Sequence, residues 1–275
     1  MTQLIKLSAA LIAELVERRL HGRIGQLPTQ RPDSLPAAFA VQQAVASLIP
    51  SPIIGWKCGM PSSERWVLAP LYQTELQAGQ YCALWPDQQA MARVEPELCF
   101  VLKRPLPARV LPYTPQEIDA AIGATHIALE LIQSRYASDA GATFLDQLAD
   151  GLFNQGLWLG PAIDGEEQSE FELRWTYQDG NNANSTDLNI ENTSLKDAET
   201  VVSINGKHPN LAPRLPLYWL VNFLSAHQID LNVGQMIITG SYAGVLEFPL
   251  NQLIHLQFGS LGQADVMFCP RRLSE

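Results

Sequence analysis

Between residues 8 and 21, apolar side chains recur at helical spacing (Leu11, Ile12, Leu15, Val16), with Glu14, Glu17, Arg18 and Arg19 set among them. This predicts an amphipathic helix. The break GRIGQLPTQRPDSLP separates it from AAFAVQQAVASLI, a second helical run over about 37–49 that Pro50 ends. Residues 1–52 therefore form an expected N-terminal helical lobe. From IIGWKCGM onward the pattern shortens to β-type runs punctuated by Gly, Pro and Asn, and residues 53–275 are expected to be a β-rich body with a few helices, an α+β chain. In that body Thr114-Pro115-Gln116-Glu117 forms a capping box with proline at the first helical position, which predicts a helix to about Gly123. HIALELIQSRY reads as a buried strand. The polar run 178–199 has little apolar surface and predicts a solvated loop or hairpin connection. PLYWLVNFLSAH (216–227) predicts a helix packed on the sheet, and strands are expected near 235–239, 253–258 and 264–268.

Composition narrows the partners. With 275 residues, 47% of them hydrophobic, the chain can bury a full core. A net charge of −10 disfavours a nucleic-acid backbone or an anionic membrane and leaves a small ligand or a metal ion open. Cys58, Cys82, Cys99 and Cys269 are scattered with no CxxC pair, which suggests reduced, mostly buried thiols and a cytoplasmic protein. The first helix is too polar for a signal peptide or a membrane span, so the sequon Asn184-Ser185-Thr186 carries little weight. His21, His126, His208, His227 and His255 form no HxxxH or HExxH, which argues against zinc. There is no P-loop or GxGxxG, and neither SYAG nor FGSLG fits a G-x-S-x-G elbow.

Two stretches carry unusual charge. In ARVEPELCFVL, Glu95 and Glu97 lie two apart at the mouth of an apolar run, so on a strand they share one face with Cys99 and Val101. Glu130 sits in ATHIALELI with apolar neighbours on both sides and no cation nearby in sequence. Buried like charges repel, and one hard divalent cation taking oxygen ligands from all three would supply the missing positive charge. The plainer alternative leaves Glu95 and Glu97 exposed at a strand start, paired with Arg93. Lys57, between two glycines in IIGWKCGM, is either a desolvated lysine with a task or a side chain snorkelling to solvent.

In order, GWKCG, VEPELCFVL, ALELIQSRY, LADGLFNQGLWLG, PLYWLVNFL, IITGS and LQFGSLGQADVMF resemble the 2-keto-4-pentenoate hydratase group of the fumarylacetoacetate hydrolase superfamily, which also contains 4-oxalocrotonate decarboxylases. The resemblance runs from about 53 to 268. It implies a mixed β-sandwich roll behind a helical lobe, homo-oligomers, and Mg²⁺ or Mn²⁺ held by Glu95, Glu97 and Glu130. By the same resemblance Lys57 is catalytic, and Thr239, Gly240 and Ser241 lie beside the substrate, a small 2-oxo acid or 2-hydroxydienoate. Metal-assisted enolate formation followed by water addition is the implied chemistry.

The chain departs from that pattern in three places. Pro70-Leu71-Tyr72-Gln73 stands where hydratases of the group carry P-D-F-G, and Ser134-Arg135-Tyr136 matches the decarboxylases instead. Gly151 and Phe153 replace the polar residues of A-D-N-x-S, and Lys207-His208-Pro209-Asn210-Leu211 stands for L-G-H-P-L. Decarboxylation, acylpyruvate hydrolysis, and a binding or assembly role for a catalytically altered relative are therefore the alternatives.

Overall fold

The computed structural model describes residues 8–163, 165–178, 199–210 and 212–271. Helix α1 (Ala9–His21) starts where the Ser8 hydroxyl accepts the Leu11 N–H and stops at Gly22, whose φ of 61° suits a residue without Cβ. Helix α2 (Leu35–Leu48) is capped in the same way by Ser34. Both bury their apolar faces, with Leu15, Ala38, Phe39 and Val41, in one core that also takes Trp56, Phe100 and the later helix α5 (Arg214–Ala226). The capping box is present at α3 (Pro115–Ala121), where Thr114 and Glu117 satisfy each other's backbone N–H groups. A short α4 (Phe144–Ala149) lies against α2.

Among the described residues, thirteen strands make two sheets. The larger contains β1 (Ile53–Cys58), β2 (Leu68–Tyr72), β3 (Leu76–Ala78), β5 (Met91–Leu102), β6 (Ile122–Ile132), β7 (Asn154–Ala162), β10 (Met236–Ile238) and β11 (Leu246–Pro249). Its order is β2-β1-β10-β5-β6-β7-β3, with β11 pairing β5 off that path. The smaller contains β4 (Tyr81–Leu84), β8 (Glu170–Gln178), β9 (Glu199–Lys207), β12 (Leu253–Phe258) and β13 (Gly262–Pro270), in the order β4-β13-β12-β8-β9. Both sheets mix parallel and antiparallel pairs.

The layers follow from strand parity. Val94, Leu98, Ile127, Leu129 and Leu131 of the larger sheet meet Leu173, Ile254, Leu256, Phe258 and Phe268 of the smaller, and each such side chain contributes about 1.5–3 kcal/mol on burial. On the opposite face the larger sheet curls until β2 touches β7. Inside the curl sits a small apolar cluster of Leu71, Cys99, Ala128, Leu157, Met236 and Ile238. The expected α+β fold, a few helices on a mixed sandwich roll, is present. Residues 179–198, most of the polar run and its sequon, lie outside the described residues; β8 and β9 on either side of them pair antiparallel.

Candidate metal and acid site

Three glutamates come together through strand register. In the antiparallel β5–β6 pair Glu95 stands directly opposite Glu130, and Glu97 opposite Ala128. Because side chains alternate, all three carboxylates point into the curl while Val94, Leu98 and Leu129 go to the inter-sheet core. One carboxylate oxygen from each lies within 4.8 Å of the others. Glu97 and Glu130 are buried and Glu95 is half-buried.

The acids sit in the middle of the 12-residue β5 and not at a strand entry, which corrects the expected placement. Pro96 is tolerated there because the edge of β5 is open locally: β11 pairs it only as far as Val94 and β10 begins at Cys99. The turn after β10 crosses this gap. The Tyr242 N–H donates to the Pro96 carbonyl at 2.9 Å, and the Gly240 N–H donates to Glu97 Oε2 at 2.7 Å. Gly240 has φ 129°, and a Cβ there would press on Pro209 at 3.2 Å, so both conformation and space require glycine. Ser241 Oγ donates to the Gly244 carbonyl, and the Thr239 carbonyl accepts from His208 Nε2 at 3.1 Å. His208 Nδ1 accepts the Asn210 N–H, so this buried histidine holds the turn from behind, and burial pulls its pKa down.

Lys57 does not snorkel. On β1 it pairs with Ile238 of β10, which pairs with Cys99 of β5, so its side chain enters the curl on the same face as the acids, in the row next to that of Glu97. Its Nζ lies 2.6 Å from Glu130 Oε1 and donates to the Leu152 carbonyl at 3.0 Å. Arg93, the alternative partner for Glu95 and Glu97, instead faces Glu247 at 3.5 Å.

Behind Glu130 lies a polar network that composition and spacing do not reveal. Asn154 Nδ2 donates to Glu130 Oε1 at 3.0 Å. Asn154 Oδ1 in turn accepts from Arg19 at 3.1 Å, and Arg19 forks onto Glu75 at 3.0 and 2.5 Å. Arg135 donates to the Asn154 carbonyl and to both oxygens of Asp150. All five side chains are buried. Arg19 reads in sequence as one more charge on an amphipathic helix, and Glu75 carries no signal at all; Arg135, Asp150 and Asn154 fall inside motifs already singled out.

The departures from the family pattern cluster around this site. Leu71 is fully buried in the apolar lining of the curl, so no carboxylate replaces the missing aspartate at that position. Gly151, Leu152 and Phe153 have φ of 86°, 51° and 66°, and a left-handed backbone is costly for the two residues with side chains. That conformation turns the Leu152 carbonyl onto Lys57.

Burial, reinforced by Glu130, pushes Glu95 up to about 7, and burial with the charges of Glu130 and Glu95 holds Glu97 well above the usual carboxylate range. Burial by itself would lower the Lys57 ammonium, but Glu130 and then Glu95 outweigh it and leave it raised. Glu130 Oε2 is buried without a hydrogen-bond partner. Three acids with one cation, two of them reluctant to ionise and one oxygen orphaned, fit a hard divalent ion. A group whose pKa is raised on folding contributes stability below its unfolded value and loses it as pH rises through the folded one. Glu95 therefore makes the metal-free protein less stable as pH climbs from 4.5 to about 7. Metal-free protein is expected to melt at a lower temperature at pH 8 than at pH 5.5, and millimolar Mg²⁺ is expected to narrow or reverse that gap. Thermal melts with EDTA or Mg²⁺ at both pH values check this.

No family model matches the chain. Over 191 residues it is 27% identical to a 2-oxo-hept-4-ene-1,7-dioate hydratase from Escherichia coli, a match covering 66% of this chain and 63% of that enzyme. The chain thus spans less than two thirds of the curated relative it matches. Among solved structures it superposes on 4-oxalocrotonate decarboxylase from Pseudomonas putida G7 complexed with magnesium and adipate. That match has a TM-score of 0.64 and 18% identity, covering 94% of this chain and 96% of the other. The same enzyme complexed with calcium and acetate gives a TM-score of 0.63 at 19% identity, with the same coverage. The resemblance to the hydratase and decarboxylase group is borne out, and the fold is shared along nearly the whole chain. No helix among the described residues is long and apolar enough to cross a membrane.

Proposed function

We propose that this protein is a divalent-metal-dependent lyase acting on a small 2-oxo acid or its 2-hydroxydienoate form. The observation that carries this reading is the convergence of Glu95, Glu97 and Glu130 within 4.8 Å, the last two buried, beside Lys57. The glutamates would hold Mg²⁺ or Mn²⁺; when bound, such an ion supplies Lewis acidity that lowers the cost of removing a proton next to a 2-oxo group. The solved decarboxylase that shares this fold holds magnesium or calcium, which supports a divalent ion here.

The chain's own groups do the rest. Lys57, kept protonated by Glu130 and aimed by the Leu152 carbonyl, presents a fixed positive charge to negative charge developing on the substrate and is placed to deliver a proton. Asn154 holds Glu130 in place, and the Gly240 N–H does the same for Glu97. Thr239 to Ser241 form the turn against which substrate would lie. Leu71 and the other apolar residues of the curl exclude water and keep these charges effective.

Hydration is the reaction of the curated relative. Decarboxylation is the second reading, favoured by Leu71, which offers no acid to activate water or move protons. The division at residue 52 into a helical lobe and a metal-binding body belongs to this proposal, with Arg19 of the lobe reaching the Asn154 network. So do assembly into homo-oligomers and a cytoplasmic location, in keeping with four free cysteines.

A panel of 2-oxo acids that includes 2-hydroxypenta-2,4-dienoate, 4-oxalocrotonate and an acylpyruvate, run with Mg²⁺ or Mn²⁺, tests the reading. Loss of dienol absorbance without CO₂ indicates hydration, CO₂ release indicates decarboxylation, and pyruvate from the acylpyruvate indicates hydrolysis. Calorimetry that finds neither ion bound to the folded protein would sink the metal reading.

A further inference from the structure

The two oxygens of Glu130 are not equivalent. Oε1 takes the Lys57 ammonium at 2.6 Å and the Asn154 amide at 3.0 Å, while Oε2 is buried with no hydrogen-bond partner. A carboxylate held by two donors at one oxygen presents the other to a cation. The Asn154 half of that hold depends on how its amide is turned. Nδ2 donates to Glu130 and, at 3.2 Å, to the Gly156 carbonyl, while Oδ1 accepts from Arg19 Nη2 at 3.1 Å. A flipped amide would set its oxygen against the carboxylate and its N–H groups against the guanidinium, acceptor on acceptor and donor on donor. Arginine has no acceptor to offer, so the group facing Arg19 must be the oxygen.

Arg19 comes from α1, outside the sheet that carries the acids. All three of its nitrogens are engaged. Nε and Nη2 fork onto Glu75 at 3.0 and 2.5 Å, and Nη1 donates to the Asn154 carbonyl at 3.1 Å. The guanidinium lies 4.6 Å over the Tyr72 ring, in a residue only 5% exposed. Burying a charge this deeply is costly, and joining the lobe to the body does not require it. Arg31 makes such a joint with Asp146 from a side chain that stays 35% exposed.

We infer that Arg19 is a positioning residue of the metal site: held by Glu75, it fixes the Asn154 amide and so turns Glu130 Oε2 toward the ion. The inference rests on the proposed metal reading of Glu95, Glu97 and Glu130. It makes the helical lobe a working part of the site, because the line Glu75–Arg19–Asn154–Glu130 begins outside the curl and ends at a ligand oxygen.

Calorimetric titration of the full chain with Mg²⁺ tests it. Arg19→Met alone would strand a buried carboxylate, so Arg19→Met/Glu75→Met replaces both partners with apolar groups. That variant is expected to bind Mg²⁺ at least tenfold more weakly than wild type while showing a cooperative unfolding curve. Asn154→Ala is expected to weaken Mg²⁺ comparably, and adding Arg19→Met/Glu75→Met to it should change the affinity by no more than about twofold, since the line is already cut. Arg31→Met, which loosens the lobe without touching that line, is expected to stay within about twofold of wild type. Should the paired variant fail to fold, Arg19→Lys gives the readout. It leaves Glu75 a cation but offers one nitrogen in place of three, and severalfold weaker Mg²⁺ binding is expected.

Wild-type affinity in Arg19→Met/Glu75→Met or in Arg19→Lys overturns the positioning role and leaves the metal reading standing. Equal losses with and without Asn154, or an equal loss in Arg31→Met, would show that the lobe acts only by docking, which also overturns it. Wild type that binds no Mg²⁺ overturns the metal reading first, and this inference with it.

Discussion

Glu130→Ala is expected to abolish divalent-ion binding and to destabilise the metal-free protein by about 3–5 kcal/mol, the cost of leaving a buried charge without its partner. Glu130 is fully buried, and its carboxylate is both the nearest counter-charge to Lys57 and the acceptor for Asn154. Removing it leaves the ammonium with one carbonyl and an amide with one bond fewer. The lost hydrogen bond accounts for about 1 kcal/mol, so the stranded charge dominates. Glu130→Gln separates the two effects. It keeps the volume and an acceptor for Asn154 while removing the charge, and it is expected to lose the metal with a smaller drop in stability. Urea unfolding without metal, together with calorimetry for Mg²⁺, checks both variants. Wild type should gain about 2.7 kcal/mol in Mg²⁺ at a hundred times its dissociation constant, and Glu130→Ala should gain nothing. Mg²⁺ affinity unchanged in Glu130→Ala would remove Glu130 from the ligand set.

Lys57→Met is expected to act in the opposite sense on the metal. Methionine fills much of the same apolar path, so the fold is retained. Three acids then face one another without their cation. Metal-free protein should therefore lose stability more steeply above pH 7, and the divalent ion, no longer competing with an ammonium 2.6 Å from Glu130, should bind at least as tightly as in wild type. Turnover of whichever 2-oxo acid the panel identifies should fall by about 10²–10⁴, the range for losing a positioned acid–base group. Tighter metal with slower turnover is a signature that unfolding cannot imitate. A Lys57→Met enzyme of undiminished kcat would show that the lysine only balances charge.

Local structure was largely legible along the chain because its causes are local. Ser8, Ser34 and the Thr114–Glu117 box mark helix starts through hydrogen bonds that close within a few residues. The E-x-E spacing puts Glu95 and Glu97 on one face by the period of a strand alone. Their depth in the strand was not legible, because an edge that is open only between Val94 and Cys99 depends on where β10 and β11 dock. Arg19 was missed for a related reason. A helical arginine reads as a surface charge unless the partner that buries it is known, and Glu75 lies far away in sequence.

Taken alone, then, the sequence determined the alternation that aims two carboxylates the same way, the isolated Glu130 and Lys57, the order of motifs, and the apolar Leu71 standing where the resemblance implies an aspartate. Only the tertiary structure decided that β5–β6 register sets Glu95 opposite Glu130, that Lys57 places its charge there and not in solvent, and that Arg93 turns from the acids to Glu247. The physical reason is distance: capping and parity act within one element, whereas a buried charge is defined by the neighbours that other elements bring to it.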